Sequence, residues 1–390
     1  MKALEQCWNI TDLKELARRR LPAPVFDFME GGADDEWTAQ RNTEAFAEYR
    51  LVPRVLVDVA KVDTSTRILG QRISSPFFIS PTGGSRLFHP QGEKAVARAA
   101  ARAGILYSLA TFSTVSIEDL AAASEGPKVF QLYLMRDSGL NTELVRRCRA
   151  AGYAALCITV DCPVSGNRER DHRNGLAARP RRLGLKTLLS LLARPAWLWH
   201  FLQDPHIVPA TFCSKKKLSR ADSRSLAAFV QNQLTPSATW EDAASLIRQW
   251  QGPFAIKGIL NAEDAKRAAD MGASAIMVSN HGGRQLDGAI ASINALPRIV
   301  EAVGDRVEII VDGGIRRGAH VLKALALGAK ACSVGRPYLY GLAAGGEAGV
   351  DRALQILHSE VERDMRLLGC SSISEIDGRY ISFRPARGDS

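Results

Sequence analysis

The sequence predicts an α/β fold, a closed parallel (β/α)8 TIM barrel, and three observations carry that expectation. Eight short apolar segments recur along the chain, helix-like stretches lie between most of them, and polar residues gather where the segments end. At 390 residues one large barrel or two domains are both open. Strand and helix alternating eight times favours the barrel.

The expected strands are Phe77–Ser80, Ile105–Leu109, Val129–Tyr133, Ala155–Val160, Phe254–Lys257, Ala275–Ser279, Glu308–Val311 and Ala331–Val334. Each is too short for a helix and has a polar residue or glycine at its end or within the next two positions. Glu93–Arg102 is alanine-rich with charges along one side, and Ala262–Met271 and Arg317–Leu327 repeat that amphipathic pattern. The organisation expected is a single domain. Residues 1–70 form an N-terminal helical extension, 71–345 the barrel with a long insertion at about 168–240, and 346–390 a C-terminal helix and tail.

Composition fits a soluble globular protein. No apolar run reaches the ~20 residues that span a bilayer, and the start Met1-Lys-Ala-Leu-Glu lacks a secretory signal. Seven cysteines, an odd number without metal-like spacing, read as reduced thiols and suggest a cytoplasmic location with no metal site. The net charge of +10 has two main sources, Arg168 to Lys186 and Lys215-Lys-Lys217. No aromatic interleaving or nucleic-acid module accompanies it, so nucleic acid is not the expected partner. An anionic membrane surface fits better, because the basic run leads into an apolar one.

Function in such a barrel sits where strands hand over to loops. Those exits carry Pro81-Thr82-Gly83, Ala110-Thr111, Gln131 with Tyr133, Thr159 with Asp161, Lys257, Ser279 with His281 and Arg284, Asp312-Gly313-Gly314, and Gly335-Arg336. In Ser279-Asn-His-Gly-Gly-Arg-Gln-Leu-Asp-Gly288 an imidazole able to take a proton stands three residues from a guanidinium able to hold a carboxylate. Singly, each residue has a plainer role. The decapeptide could be a surface turn, Lys257 a solvated strand end, Tyr133 a core residue and Asp161 a helix cap. Their shared position at one end of one barrel weighs against those roles. The glycines of Asp312-Gly-Gly-Ile-Arg-Arg-Gly318 and Val334-Gly-Arg336, with Arg316 and Arg336, read as a phosphate cradle after strands seven and eight.

These residues resemble the FMN-dependent L-2-hydroxy acid dehydrogenase and oxidase family, which includes glycolate oxidase, L-lactate dehydrogenase and mandelate dehydrogenase. The likeness runs from about Leu13 to Gly369 through Leu-Pro-x-x-Val-Phe-Asp-Phe-Met-Glu-Gly-Gly, Phe-Gln-Leu-Tyr, Thr-Val-Asp, Ile-Lys-Gly, the histidine decapeptide, Asp-Gly-Gly-Ile-Arg-Arg-Gly and Val-Gly-Arg-Pro. It implies FMN as cofactor and a small 2-hydroxy acid as substrate. His281 would be the base, taking a proton from the C2 hydroxyl with hydride transfer or from C2 itself. Asp161 would orient its ring. Arg284 would grip the carboxylate, with Arg168, Tyr133 and Phe28 beside the substrate. Lys257 would face flavin N1 and O2, while Gln131 and Thr159 would bond the ring. Asp312, Gly314, Arg316, Gly335 and Arg336 would hold the phosphate end, and Pro81, Thr82, Gly83 and Ser279 complete the flavin contacts. A homotetramer is the assembly expected, with a quinone, cytochrome or oxygen as electron acceptor.

The chain departs from the family in two places. Phe28 replaces a tyrosine whose hydroxyl meets the carboxylate, and Ala110 stands where a serine or threonine is usual. A hydrogen bond to a charged group contributes about 1.5–3 kcal/mol, so larger apolar or aromatic acids are expected over glycolate. Gly83, where several oxidases have alanine, favours a dehydrogenase. In the insertion, Leu188-Leu-Ser-Leu-Leu-Ala-Arg-Pro-Ala-Trp-Leu-Trp-His-Phe-Leu202 could lie in a membrane interface, on the inner face of the cytoplasmic membrane. It could equally be a lid or a subunit contact. Two rival functions remain: an FMN barrel of the type 2 isopentenyl diphosphate isomerase kind, against which the His281/Arg284 pair argues, and a catalytically idle membrane-surface barrel.

Overall fold

The computed structural model describes residues 2–174, 184–204, 207, 209–212 and 233–383. Eight parallel strands, Phe77–Ile79, Tyr107–Ala110, Lys128–Tyr133, Ala155–Thr159, Phe254–Ile259, Ala275–Val278, Glu308–Asp312 and Ala331–Val334, close a barrel in sequence order. The circle shuts where Cys332, Ser333 and Val334 pair with Phe77, Phe78 and Ile79. All eight expected strands are present, most shifted by a residue or two at an end. The fifth runs on past Lys257 to Ile259, with an irregular register at that point. There Gly258 takes φ +107°, and a Cβ on it would lie 2.6 Å from the Asp161 Cβ, so only glycine fits.

The helices follow their patterns. Gly92–Arg102 buries Ala95, Val96, Ala99 and Ala100 and turns Arg98 and Arg102 outward, to Glu347 and Asp351 of the C-terminal helix. Asn261 caps Ala262–Asp270 by accepting from the Asp264 N–H.

The N-terminal extension is built of helices, as expected, and carries a hairpin besides. After helices Ile10–Arg20, Ala23–Glu30 and Trp37–Glu44, strands Thr66–Ile68 and Gln71–Ile73 form an antiparallel hairpin across the expected boundary at 70. Leu69 and Gly70 at positive φ make its turn. Ile68, Leu69 and Ile73 join Phe78, Val129, Ala255 and Met277 in the cluster that fills the barrel, so the hairpin plugs its floor. The expected C-terminal helix is present too: Arg336–Leu368 is two helices that meet at a kink, where Gly345 and Gly346 are non-helical, and the tail ends in Ile381–Phe383, paired with Tyr49–Leu51.

Within the insertion, helices Leu185–Leu192 and Pro195–Gln203 bury no residue. They are tied down by Ala23 N–H to Ser190 Oγ, Trp197 Nε1–H to the Leu87 carbonyl and the Arg86–Asp204 ion pair. Among the described residues no helix is long and apolar enough to cross a membrane. Lys215-Lys-Lys217 and 175–183 of the basic run lie outside the described residues.

Candidate active site

The eight strand exits converge on one mouth, and His281 stands in it. Its backbone is left-handed, φ +60°, an uncommon conformation for a residue with a side chain. Two bonds hold it there: its N–H donates to Ser279 Oγ at 3.0 Å, and its Nδ1 lies 3.0 Å from Asp161 Oδ1. Burial works against the Asp161 charge, but His281 and Lys257 outweigh it and keep the carboxyl well below its usual range. An ionised carboxylate only accepts, so Nδ1 carries the proton and Nε2 is left basic. Nε2 faces the Tyr133 hydroxyl at 3.4 Å. Burial raises that phenol, which therefore stays protonated.

Around the imidazole lie half-buried cations. Arg284 donates through Nη1 to the carbonyls of Phe28 and Gly31 at 3.0 and 2.7 Å, and its guanidinium lies 5.5 Å from the Phe28 ring centre. Burial, then Arg168 and Arg336, lower its pKa. Two guanidiniums pressing on a third in a half-buried mouth form a site that gains from an anion. Arg168 is held by Asp171 at 3.2 Å. Arg336 donates to the carbonyls of Met29, Gly31 and Gly282, and so fastens the end of Ala23–Glu30 to the histidine loop.

Below His281, Lys257 is 3% exposed. Its Nζ donates to Ser279 Oγ at 3.0 Å and lies 3.3 Å from Asp312 Oδ2, and Ser279 Oγ donates to the same oxygen at 3.1 Å. Burial pushes the ammonium down, but Asp312 and Asp161 more than restore it, so Lys257 is a fixed cation. Gln131 Nε2 donates to Thr159 Oγ1, and Gln131 Oε1 accepts from the Thr111 N–H. Thr111 Oγ1 donates to the Gln131 carbonyl, so Thr111 braces this strand next to Ala110. Thr82 bonds the Tyr338 hydroxyl, and a Cβ on Gly83 would meet the Phe112 carbonyl at 2.8 Å.

The phosphate cradle is narrower than its sequence implies. Gly313 and Gly314 both take positive φ, and a Cβ on Gly314 would strike the Asn42 carbonyl at 1.9 Å. The Gly318 N–H at the start of the next helix is taken by Glu360. What remains for a phosphate is the glycine turn, the Arg316 side chain, which among the described residues donates to its neighbour's carbonyl, and the first turn of the helix opening at Arg336. A buried cation next to a glycine-lined anion cradle fits a flavin phosphate and its ring.

Three features escaped the sequence reading. Cys162 donates to Asp161 Oδ1 at 3.2 Å and sits 3.5 Å from His281 Nδ1; its position beside Asp161 was the available signal. Asn280 and Asn42 exchange two amide bonds of 2.7 Å, pinning the N-terminal extension to the histidine loop. Asp287 accepts from the Trp37 and Thr38 N–H groups, so the end of the decapeptide is structural.

Residues 17–383 match the FMN-dependent dehydrogenase family. The chain is 43% identical to a putative L-lactate dehydrogenase of Mycobacterium tuberculosis, over 96% of this chain and 89% of that one. It is also 43% identical to an L-lactate oxidase of Nostoc, over 98% and 100%. Among solved structures it is similar to the monotopic membrane protein (S)-mandelate dehydrogenase, with a TM-score of 0.91 and 38% identity over 97% of this chain and 100% of that one. A buried lysine, a glycine cradle, a carboxylate-backed histidine and this match over nearly the whole chain lead to one conclusion: the chain belongs to the FMN-dependent dehydrogenase family, and FMN is its cofactor.

Proposed function

We propose that this protein oxidises an L-2-hydroxy acid to the 2-oxo acid, and that its electrons leave to a membrane quinone or a cytochrome. The observation that carries the reading is the placement of a carboxylate-backed base, His281 on Asp161, within the same loop as the anion-binding Arg284. Arg284, with Arg168 across the mouth, receives the carboxylate and sets C2 against the base. His281 Nε2 takes the proton, and Asp161 stabilises the imidazolium that results. Tyr133 donates its hydroxyl to the substrate oxygen. FMN, when bound, supplies the two-electron acceptor for the C2 carbon. Lys257 is the fixed cation where negative charge gathers, and Gln131, Thr159, Gly314, Arg316 and Gly335 hold the cofactor.

Phe28 offers the substrate a ring and no hydroxyl, and it packs against Phe88 at 6.3 Å between ring centres. That apolar wall favours an aromatic or long-chain acid. The exposed leucines and Trp199 above the mouth favour a peripheral site on the inner face of the cytoplasmic membrane, and with it a membrane acceptor over oxygen. The test is a panel of L- and D-2-hydroxy acids added anaerobically to the yellow protein. L-acids with large apolar side chains should bleach the flavin band and D-acids should not. Bleaching by glycolate alone, or by neither hand of any acid, overturns the assignment.

A further inference from the structure

Beside the barrel mouth lies a second cavity of about 540 Å³, between the end of helix Ile10–Arg20, the segment 86–90 and helix Pro195–Gln203. Four observations bear on its occupant. It shares a wall with the mouth: Phe88 lines it and stacks on Phe28, whose ring lies under Arg284. It contains a flat aromatic surface, Trp197 and Phe201 stacked at 5.0 Å and 13°, with Trp197 fixed by its bond to the Leu87 carbonyl. It is edged by cationic donors. Exposed Arg19 and Arg20 line it with no acidic partner among the described residues, and Arg194, whose Nη1 donates to the Ala193 carbonyl, keeps a buried Nε without a hydrogen bond. Burial, then His200 and Arg20, lower the His89 pKa to about 4, so at neutral pH that lining imidazole is uncharged; its Nδ1 accepts from the Gln91 N–H, which leaves Nε2–H as a donor. Finally, its helical roof continues outward into exposed Leu188, Leu192, Trp199 and Leu202.

We propose that this cavity binds the ring of a membrane quinone and is where the enzyme is reoxidised. The inference rests on the reading of the mouth as a hydroxy acid dehydrogenase. A flat ring with two carbonyl oxygens suits an aromatic surface edged by cationic donors, and an isoprenoid tail suits the leucines outside. The quinone takes two electrons and two protons to become the quinol. Both electrons come from the flavin that the hydroxy acid reduced, across the Phe28–Phe88 contact, and the flavin returns to its oxidised form. Its two protons are released, and the two the quinol needs arrive from solvent. An anionic lipid headgroup would use the arginines, but it has no use for the aromatic surface or for a wall shared with the substrate.

The experiment uses the purified holoenzyme in detergent with decyl-ubiquinone as probe, and three readouts: tryptophan quenching without substrate, flavin bleaching by hydroxy acid, and recolouring on adding quinone. Saturable quenching is expected, and Trp197→Phe should remove it while the protein stays yellow. Ala196→Phe, which fills the cavity from an exposed position, and Arg194→Gln should each raise the half-saturating quinone concentration about tenfold or more, with bleaching by hydroxy acid persisting. Absence of quenching at Trp197, unchanged quinone dependence in both variants, or displacement of quinone by phosphatidylglycerol vesicles overturns the proposal. Saturable quenching that responds to Ala196→Phe in a protein no hydroxy acid bleaches would uphold the quinone site and sink the reading of the mouth.

Discussion

The barrel mouth and the two helices beside it are built on opposite terms. At the mouth, charge is buried and answered: Lys257 lies between Asp312 and Ser279, His281 rests on Asp161, and Arg284 spends a nitrogen on two carbonyls. In helices Leu185–Leu192 and Pro195–Gln203 nothing is buried, and Leu189 and Trp199 are 57% and 64% exposed. The difference teaches where each region gets its order. The mouth is held by its own polar network, so its chemistry should survive changes to the helices. Among the described residues nothing covers the apolar surface of those helices, and a patch of that kind suits a contact outside the chain.

Changes at the mouth should therefore have the largest effects. His281→Ala removes the base and should slow flavin bleaching by about 10²–10⁴-fold, with colour and thermal stability kept; stopped-flow bleaching reads it. Lys257→Met leaves Asp312 buried without its cation, and breaking such a pair costs about 3–5 kcal/mol. A urea titration of the variant should show that loss, with weaker FMN retention.

His320, beside the phosphate cradle, gives a pH test of the same network. It stacks on Phe46 with 4.4 Å between ring centres, and burial, then Lys323, pushes its pKa down to about 4. The folded protein therefore holds it neutral while the unfolded chain protonates it near pH 6.5. Its contribution is complete above about pH 6.5 and is lost as pH falls toward 4, by at most about 3 kcal/mol. His320→Phe keeps the ring and should flatten the melting temperature's fall between those pH values; an unchanged acid limb would contradict this.

Smaller effects sharpen the boundary between the regions. Phe28→Tyr restores a donor toward the carboxylate and should tighten binding of small acids by about 1.5 kcal/mol or more, read as a lower half-saturating concentration in the bleaching assay. Replacing Leu189, Leu192, Trp199 and Leu202 by serine should leave bleaching by hydroxy acid unchanged while abolishing sedimentation with anionic vesicles. If bleaching collapsed instead, the two regions would not be independent.

The barrel was legible because each strand is an apolar run that stops at a glycine or a polar side chain, and the same stops located His281, Asp161 and Lys257. Other features depended on contacts remote in sequence. Asn280 and Asn42 meet across 238 positions, and neither carries a pattern of its own. The floor hairpin has strands of three residues with Arg67 and Arg72 facing outward, too little alternation to separate from a loop. Arg336 was placed from its glycine neighbour, but its reach to Met29 and Gly31 depends on where the N-terminal extension packs. The short helices of the insertion were visible as apolar runs, whereas their lack of cover among the described residues is seen only in the fold.

The central claim is that His281, backed by Asp161, removes a proton from a hydroxy acid held by Arg284. The most direct measurement is a single anaerobic turnover of wild type and His281→Ala, each loaded with FMN, against the same L-2-hydroxy acid. The account predicts full bleaching of the wild type and a yellow, nearly inert variant that still binds the acid. Equal bleaching rates in the two proteins, or a wild type that stays yellow with every acid, would contradict it.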